Sequence, residues 1–104
     1  MAEFIPVIAF DKLTPGEIVP VRAGRFTLAL HLIDGQPYCT DDICTHEESL
    51  ISDGGFIEGF EVECPLHGTR FDVRSGEVTM PPAEDPLPTY PAEVRDGQVY
   101  VLLP

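Results

Sequence analysis

Alternating apolar and polar residues predict β-strands over much of the chain. In "FTLALHLI", residues 26–33, strongly apolar side chains fall at every second position, and His31 lies on the opposite, less apolar face. A period of two is typical of a strand with one buried face. Asp34 and Gly35 follow, a pair favoured in two-residue hairpin turns, so we expect the chain to return through "QPYCT".

A second Asp-Gly pair, Asp96 and Gly97, predicts another hairpin turn near the C-terminus, between "AEVR" and "QVYVLL". "IPVIAF" and "EIVPVRA" predict two further strands, whose prolines favour strand starts or the edges of sheets. "FEVEC" and "TRFDVRSGEV" predict short strands, the second turning at Ser75 and Gly76. Because no longer window has a convincing helical period, we predict an all-β fold, a small antiparallel β-sandwich or open barrel.

A length of 104 residues indicates one domain, spanning 1–104. We expect residues of about 39–80 to form a loop-rich subdomain, set into a base β-domain formed by residues 1–38 and 81–104. The stretch "MPPAEDPLP" has four prolines in nine residues and cannot form regular structure. It is either a stiff wall beside the loops of the subdomain or a plain rigid connector, and the sequence leaves both interpretations open.

Neither a membrane span nor a signal peptide is predicted. The longest apolar run falls far short of the roughly 20 residues that cross a bilayer, and "MAEFIPVIAF" lacks a basic flank. We therefore expect a cytoplasmic protein, in which the three cysteines would not form structural disulfides. Cysteine and histidine in tight pairs then indicate a metal site.

The charge is strongly acidic, with 18 acidic and six basic residues and a formal net charge of −12. Nucleic acid and anionic membranes are therefore poor candidate partners. No lysine or arginine occurs between Phe26 and Thr69. That window could be a plain solvated surface, but its acidity is concentrated around the Cys/His pairs, which favours a docking face for a basic partner. Its carboxylates are Asp34, Asp41, Asp42, Glu47, Glu48, Asp53, Glu58, Glu61 and Glu63.

The candidate chemistry lies in two matched pairs, Cys44-Thr45-His46 and Cys64-Pro65-Leu66-His67. Two thiolates and two imidazoles suit a tetrahedral structural zinc or an iron–sulfur cluster with mixed ligands. A catalytic Cys/His arrangement is a third possibility, but it would leave one pair unexplained. Zinc fingers usually pair like ligands, whereas each loop here carries one of each kind, which favours two loops gripping a two-metal cluster.

The spacing C-x-H, 17 residues, then C-x2-H and Gly68 resembles the signature of Rieske proteins, and the resemblance extends over almost the whole chain. It implies one 2Fe–2S cluster, with Cys44 and Cys64 on an inner iron and His46 and His67 on an outer, exposed iron. It also implies that Gly68 lets the backbone approach a sulfur. Since neutral imidazoles replace two thiolates, the site is neutral before reduction, and potentials in this class rise from about −400 mV to roughly −150 to +300 mV.

High-potential Rieske proteins have an additional cysteine in each loop, and these two form a disulfide, whereas the remaining thiol here is Cys39, which we expect to be a buried apolar residue. Those proteins also place a serine and a tyrosine near the sulfurs, at positions that match Thr69 and Phe71. Phe71 cannot donate a hydrogen bond, although Thr69 still can. The missing donor and the nearby carboxylates predict a potential at the low end of the class, as in Rieske-type ferredoxins.

Such ferredoxins resemble one another in their role, which is to carry single electrons from an NAD(P)H-dependent flavin reductase to a terminal ring-hydroxylating oxygenase. The resemblance thus implies a monomeric electron carrier, not an enzyme, that docks transiently through the acidic face around His46 and His67. A catalytic oxygenase is not expected, because His31 is the one histidine left for a second iron site. The alternatives are the Rieske small subunit of an assimilatory nitrite reductase-like enzyme and a structural zinc module.

Overall fold

The computed structural model describes residues 2–46 and 49–104, which contain eleven strands and one short 3-10 helix, Phe10–Lys12. In this part of the chain no helix is long and apolar enough to cross a membrane. The strands are β1 Glu3–Ala9, β2 Ile18–Ala23, β3 Phe26–Ile33, β4 Gln36–Asp41, β5 Phe56–Glu58, β6 Glu61–Glu63, β7 Arg70–Asp72, β8 Val78–Met80, β9 Thr89–Tyr90, β10 Ala92–Arg95 and β11 Gln98–Leu103.

The strands form three sheets, and every strand pair is antiparallel. One sheet has the order β1-β11-β10, the second β2-β3-β4-β9 and the third β5-β6-β7-β8. The all-β antiparallel prediction is therefore confirmed. Strand β5 was not predicted, because three residues between glycines are too short to display a period.

Two hairpin turns fix the register of the longer strands. Asp34 and Gly35 have φ values of 52° and 77°, and Asp96 and Gly97 have 48° and 78°. Two successive residues with positive φ form a type I′ turn, whose twist matches that of paired strands. Both predicted hairpins are confirmed, as are the edge positions of the proline-containing strands β1 and β2.

Two separate groups of buried side chains lie under the sheets. The first packs β3 against β11, and its fully buried members include Leu28, Leu30, Val99 and Val101. The second lies beneath the short sheet β5–β8. It combines both paired cysteines with Ile51, Val62, Phe71, Val73, Ala83 and Leu87. The region around the Cys/His pairs therefore has a small apolar core of its own.

Strand β3 departs from the one-face prediction, because Ala29 and His31 on its second face are also fully buried. The hydroxyl of Thr40 donates to the carbonyl of Asp41, so the Nε2–H of His31 is the donor across the 3.0 Å to Thr40 Oγ1. His31 Nδ1 has no partner among the described residues. Burial without a counter-charge lowers the pKa of His31 to about 4.

The buried imidazole should make stability depend on pH. In the unfolded chain His31 takes up a proton near pH 6.5, but in the folded protein it resists protonation until about pH 4. Stability is therefore lost as the pH falls through this interval, by about 2 kcal/mol between pH 7 and pH 5. In urea unfolding at pH 7 and at pH 5, the free energy of unfolding of His31→Gln should fall between the two pH values by about 2 kcal/mol less than that of the wild type. Equal pH dependence in the two proteins would contradict the assignment.

Candidate metal centre

The two Cys/His pairs lie on neighbouring loops, with the thiols inside and the imidazoles outside. Cys44 is 3% and Cys64 1% exposed, and both pack in the second apolar core. His46 and His67 are exposed, and their ring centroids lie 5.2 Å apart with nearly perpendicular planes. The structure thus places the two thiols in one core and the two imidazoles in contact, while the joint role of all four residues as ligands stays a prediction.

The first loop is closed at its base by backbone pairing. The N–H of Cys44 donates to the carbonyl of Ser49, and the N–H of Ile51 donates to the carbonyl of Asp42. The carboxylate of Asp42 is fully buried and accepts both the N–H of Ser52, at 2.7 Å, and its hydroxyl, at 2.5 Å. Burial raises the pKa of Asp42, and the bonds from Ser52 act in the opposite direction. Asp42 and Ser52 thus clasp the two ends of the loop that carries Cys44 and His46.

The second loop is the tight connection between β6 and β7. The N–H of Cys64 donates to the carbonyl of Thr69, and His67 and Gly68 both have positive φ values, 67° and 70°. Nothing lies within 4 Å of the point where a Cβ on Gly68 would be. The left-handed turn therefore accounts for this glycine in the structure, and its predicted approach to a sulfur stays a prediction.

The proline-rich segment after β8 is bonded to both loops. The hydroxyl of Thr45 donates to the carbonyl of Asp85 at 2.8 Å. The hydroxyl of Thr69 donates to the carbonyl of Met80 at 2.8 Å and accepts the N–H of Ala83 at 3.0 Å. Leu87 is buried in the same core as the two cysteines. The segment is therefore a wall of the site and not a plain connector.

These contacts correct one expectation about hydrogen bonds to sulfur. The sequence predicts that the hydroxyl of Thr69 can donate to a sulfur, but its single proton is directed at the carbonyl of Met80. A hydroxyl that does contact the sulfur of a predicted ligand belongs to Ser49, whose Oγ lies 3.3 Å from Cys64 Sγ. Ser49 could not be predicted, because its position three residues after His46 does not show that its side chain reaches Cys64 in the other loop. Phe71 is fully buried and has no donor, as expected.

The predicted acidic window is less uniform than its composition suggests. Arg70 forms ion pairs with three carboxylates of this window, at 2.9 Å to Glu58, 3.3 Å to Glu61 and 2.8 Å to Glu63. These contacts raise the pKa of Arg70. Asp42 is buried in its clasp, and Asp41 accepts the hydroxyl of Tyr90.

Five of the nine predicted carboxylates therefore have partners within the protein. Glu47 and Glu48, both part of the predicted face, lie outside the described residues. Asp53 is exposed, and so are Glu84 and Asp85 of the proline-rich segment, which is bonded to Thr45 beside His46. The sequence window missed this last pair because it ended at Thr69.

The donor set fits a binuclear cluster better than a single ion. Within residues 2–46 and 49–104, no three His, Cys, Asp or Glu side chains are grouped to hold one metal ion. A structural zinc would require four ligands around one point. Two buried thiols and two exposed imidazoles, split evenly between two loops, match instead the two-Cys, two-His ligand set of a Rieske centre.

Cys39 and the remaining histidine take no part in the site. Cys39 is 1% exposed in the first core, and burial followed by the nearby charge of Asp41 raises its thiol pKa. Its prediction as a buried apolar residue is confirmed. His31, on the less apolar face of its strand, is fully buried in β3, which pairs with β2 and β4.

The hydroxyl of Thr69 should stabilise the wall measurably. Thr69→Val keeps the shape but leaves the N–H of Ala83 without its acceptor, so we expect a loss of about 1–3 kcal/mol in the free energy of unfolding. Urea unfolding followed by circular dichroism measures it. The matched control is Thr79→Val, at an exposed position of β8. Equal stability of the two variants would show that the bonds to Met80 and Ala83 contribute nothing.

Comparison with known proteins supplies the family. A model of the Rieske 2Fe–2S domain matches residues 3–91. The ferredoxin component of the p-cumate 2,3-dioxygenase system of Pseudomonas putida is 37% identical over 102 residues, which are 97% of this chain and 86% of the relative. The ferredoxin component of the naphthalene 1,2-dioxygenase/salicylate 5-hydroxylase systems of a Ralstonia species is 38% identical over 96 residues, 92% of this chain and 91% of the relative.

Solved structures agree with these relatives. A ferredoxin of Sphingomonas yanoikuyae B1 superposes with a TM-score of 0.91 at 32% identity, covering 98% of this chain and all of that one. A chain in a complex of reduced oxygenase and oxidized ferredoxin in carbazole 1,9a-dioxygenase gives a TM-score of 0.85 at 38% identity, covering 93% of this chain and 99% of that one. The resemblance found in the sequence is confirmed, and the chain belongs to the Rieske 2Fe–2S family.

Proposed function

We propose that this protein carries single electrons from an NAD(P)H-dependent flavin reductase to a terminal ring-hydroxylating oxygenase, using a 2Fe–2S cluster held by Cys44, His46, Cys64 and His67. The observation that carries the proposal is the division of these residues, with both thiols buried and both imidazoles exposed at the surface. When bound, the cluster takes up and releases one electron. The relatives are named as ferredoxin components of dioxygenase systems, which supports a carrier and not a catalyst.

The four ligands have different tasks in this arrangement. Cys44 and Cys64 would hold the cluster from within the apolar core, whose side chains would exclude water from the two thiolates. His46 and His67 turn their rings outward, so a partner protein can approach them without any opening of the fold. His31 offers no second iron site, because it is buried in the base sheet and bonded to Thr40.

The exposed end of the domain has the composition of a transient docking surface. Leu66, beside His67, is 43% exposed and supplies a small apolar contact. Asp53, Glu84 and Asp85 are exposed carboxylates that would steer a basic partner towards it. The carbazole 1,9a-dioxygenase neighbour is a ferredoxin in complex with its oxygenase. Reductase and oxygenase would use the same surface in turn, since each must come close to the histidines.

We also propose that the domain divides into a part that binds the cluster and a part that supports it. Residues of about 39–80 act as the cluster-binding subdomain, and 1–38 with 81–104 act as the base. The separate sheet β5–β8 and its own core support this division. The wall formed after Met80 then belongs to the base by sequence, although it completes the site.

Reconstituted turnover tests the function. With NADH, a flavin reductase and a terminal oxygenase from an aromatic dioxygenase system, we expect product formation to require this protein. His67→Ala should abolish turnover and His31→Gln should retain it. Turnover that persists without the protein, or with His67→Ala, would contradict the carrier role.

The same assay tests the docking surface. Neutralising Asp53, Glu84 and Asp85 to amides should lower the turnover rate several-fold at low salt, and the difference should disappear at high salt because charges are then screened. The matched control neutralises Glu3, Asp11 and Glu17, which are exposed on the base. An equal effect of both sets would mean that net charge matters and that this surface does not.

A further inference from the structure

Ser49 contacts both of the loops that carry the proposed ligands. Its carbonyl accepts the N–H of Cys44 at 3.0 Å, within its own loop. Its hydroxyl lies 3.3 Å from the sulfur of Cys64, in the other loop. Among the described residues, no disulfide joins the two loops. Ser49 is therefore a non-covalent tie between them.

The direction of the hydrogen bond follows from the chemistry of the ligand. A cysteine binds metal as the thiolate, which has no proton to give. The hydroxyl of Ser49 must then be the donor and the sulfur of Cys64 the acceptor. Hydrogen bonds to a charged acceptor are stronger than those between neutral groups, so this contact should tighten when the site is loaded.

We propose that Ser49 sets the reduction potential of the site by donating this hydrogen bond to Cys64. The inference rests on the proposed ligand set. Reduction places additional negative charge on the cluster and its sulfurs, so a donor aimed at a sulfur stabilises the reduced form more than the oxidised form. The hydroxyl thereby raises the affinity of the site for its electron.

Neither Thr69 nor Phe71, the two residues at the positions of the family's donors, gives a hydrogen bond to a sulfur. Thr69 gives its proton to Met80, and Phe71 has none to give. The potential should therefore lie above that of a site with no hydroxyl donor to sulfur. Ser49 is a positioning residue in this account, since it acts through Cys64.

Potentiometric titration of the loaded proteins tests the proposal. At a fixed potential, we expect the ratio of reduced to oxidised protein in Ser49→Ala to be about threefold to tenfold lower than in wild type, where tenfold equals about 59 mV for one electron. Ser49→Thr retains a hydroxyl and should stay closer to wild type. The matched control is Ser75→Ala, which removes an exposed hydroxyl that accepts the N–H of Glu77.

A second readout does not depend on activity or on how much cluster each variant binds. In the reduced wild type, pulsed EPR after exchange into deuterated water should detect several exchangeable protons near the cluster, among them the hydroxyl proton of Ser49. Ser49→Ala should lose that one coupling and keep those of the imidazole N–H groups, whereas Ser75→Ala should keep all of them. Potentials and couplings equal in all four proteins would overturn the role of Ser49 and leave the ligand set intact. A wild type without any Rieske-type signal would instead overturn both the ligand set and this inference.

Discussion

The close approach of the two ligand loops is the constraint on which the rest of the structure depends. The imidazoles of His46 and His67 meet edge to face at 5.2 Å, and Ser49 bridges the loops beneath them. Because no disulfide enforces this approach, hydrogen bonds and a small apolar core must do so. Thr45 and Thr69 fasten each loop to the same proline-rich wall. The positions of the proposed ligands therefore depend on local turns together with contacts to segments that are distant in sequence.

The acidity of the chain and the neutrality of the proposed site are compatible because the charges are placed apart. Arg70 holds Glu58, Glu61 and Glu63 together on the short sheet. Asp42 is withdrawn into the loop clasp, whereas Asp53, Glu84 and Asp85 are exposed. The exposed carboxylates can therefore steer a basic partner over a long range, while those bound to Arg70 or held in the clasp are neutralised or withdrawn.

Local patterns predicted much of this structure, whereas contacts between distant segments could not be predicted. The hairpins at Asp34 and Asp96 are properties of short stretches, so composition and spacing were sufficient to predict them. The four proposed ligands also follow from short motifs, and their role stays a prediction. The burial of both faces of β3 depends on a second sheet layer, and the proton of Thr69 depends on a segment eleven residues away. Ser49 and β5 were missed for the same reason, since their partners lie on other elements.

Pulsed EPR of the reduced protein, prepared with isotopically labelled histidine, tests the central claim most directly. The account predicts a rhombic signal with an average g below that of an all-cysteine cluster, and hyperfine couplings from two histidine nitrogens. His46→Ala and His67→Ala should each remove one coupling or the whole signal, and His31→Gln should leave both. A reduced, loaded protein with no histidine coupling would contradict the account, as would couplings that disappear with His31.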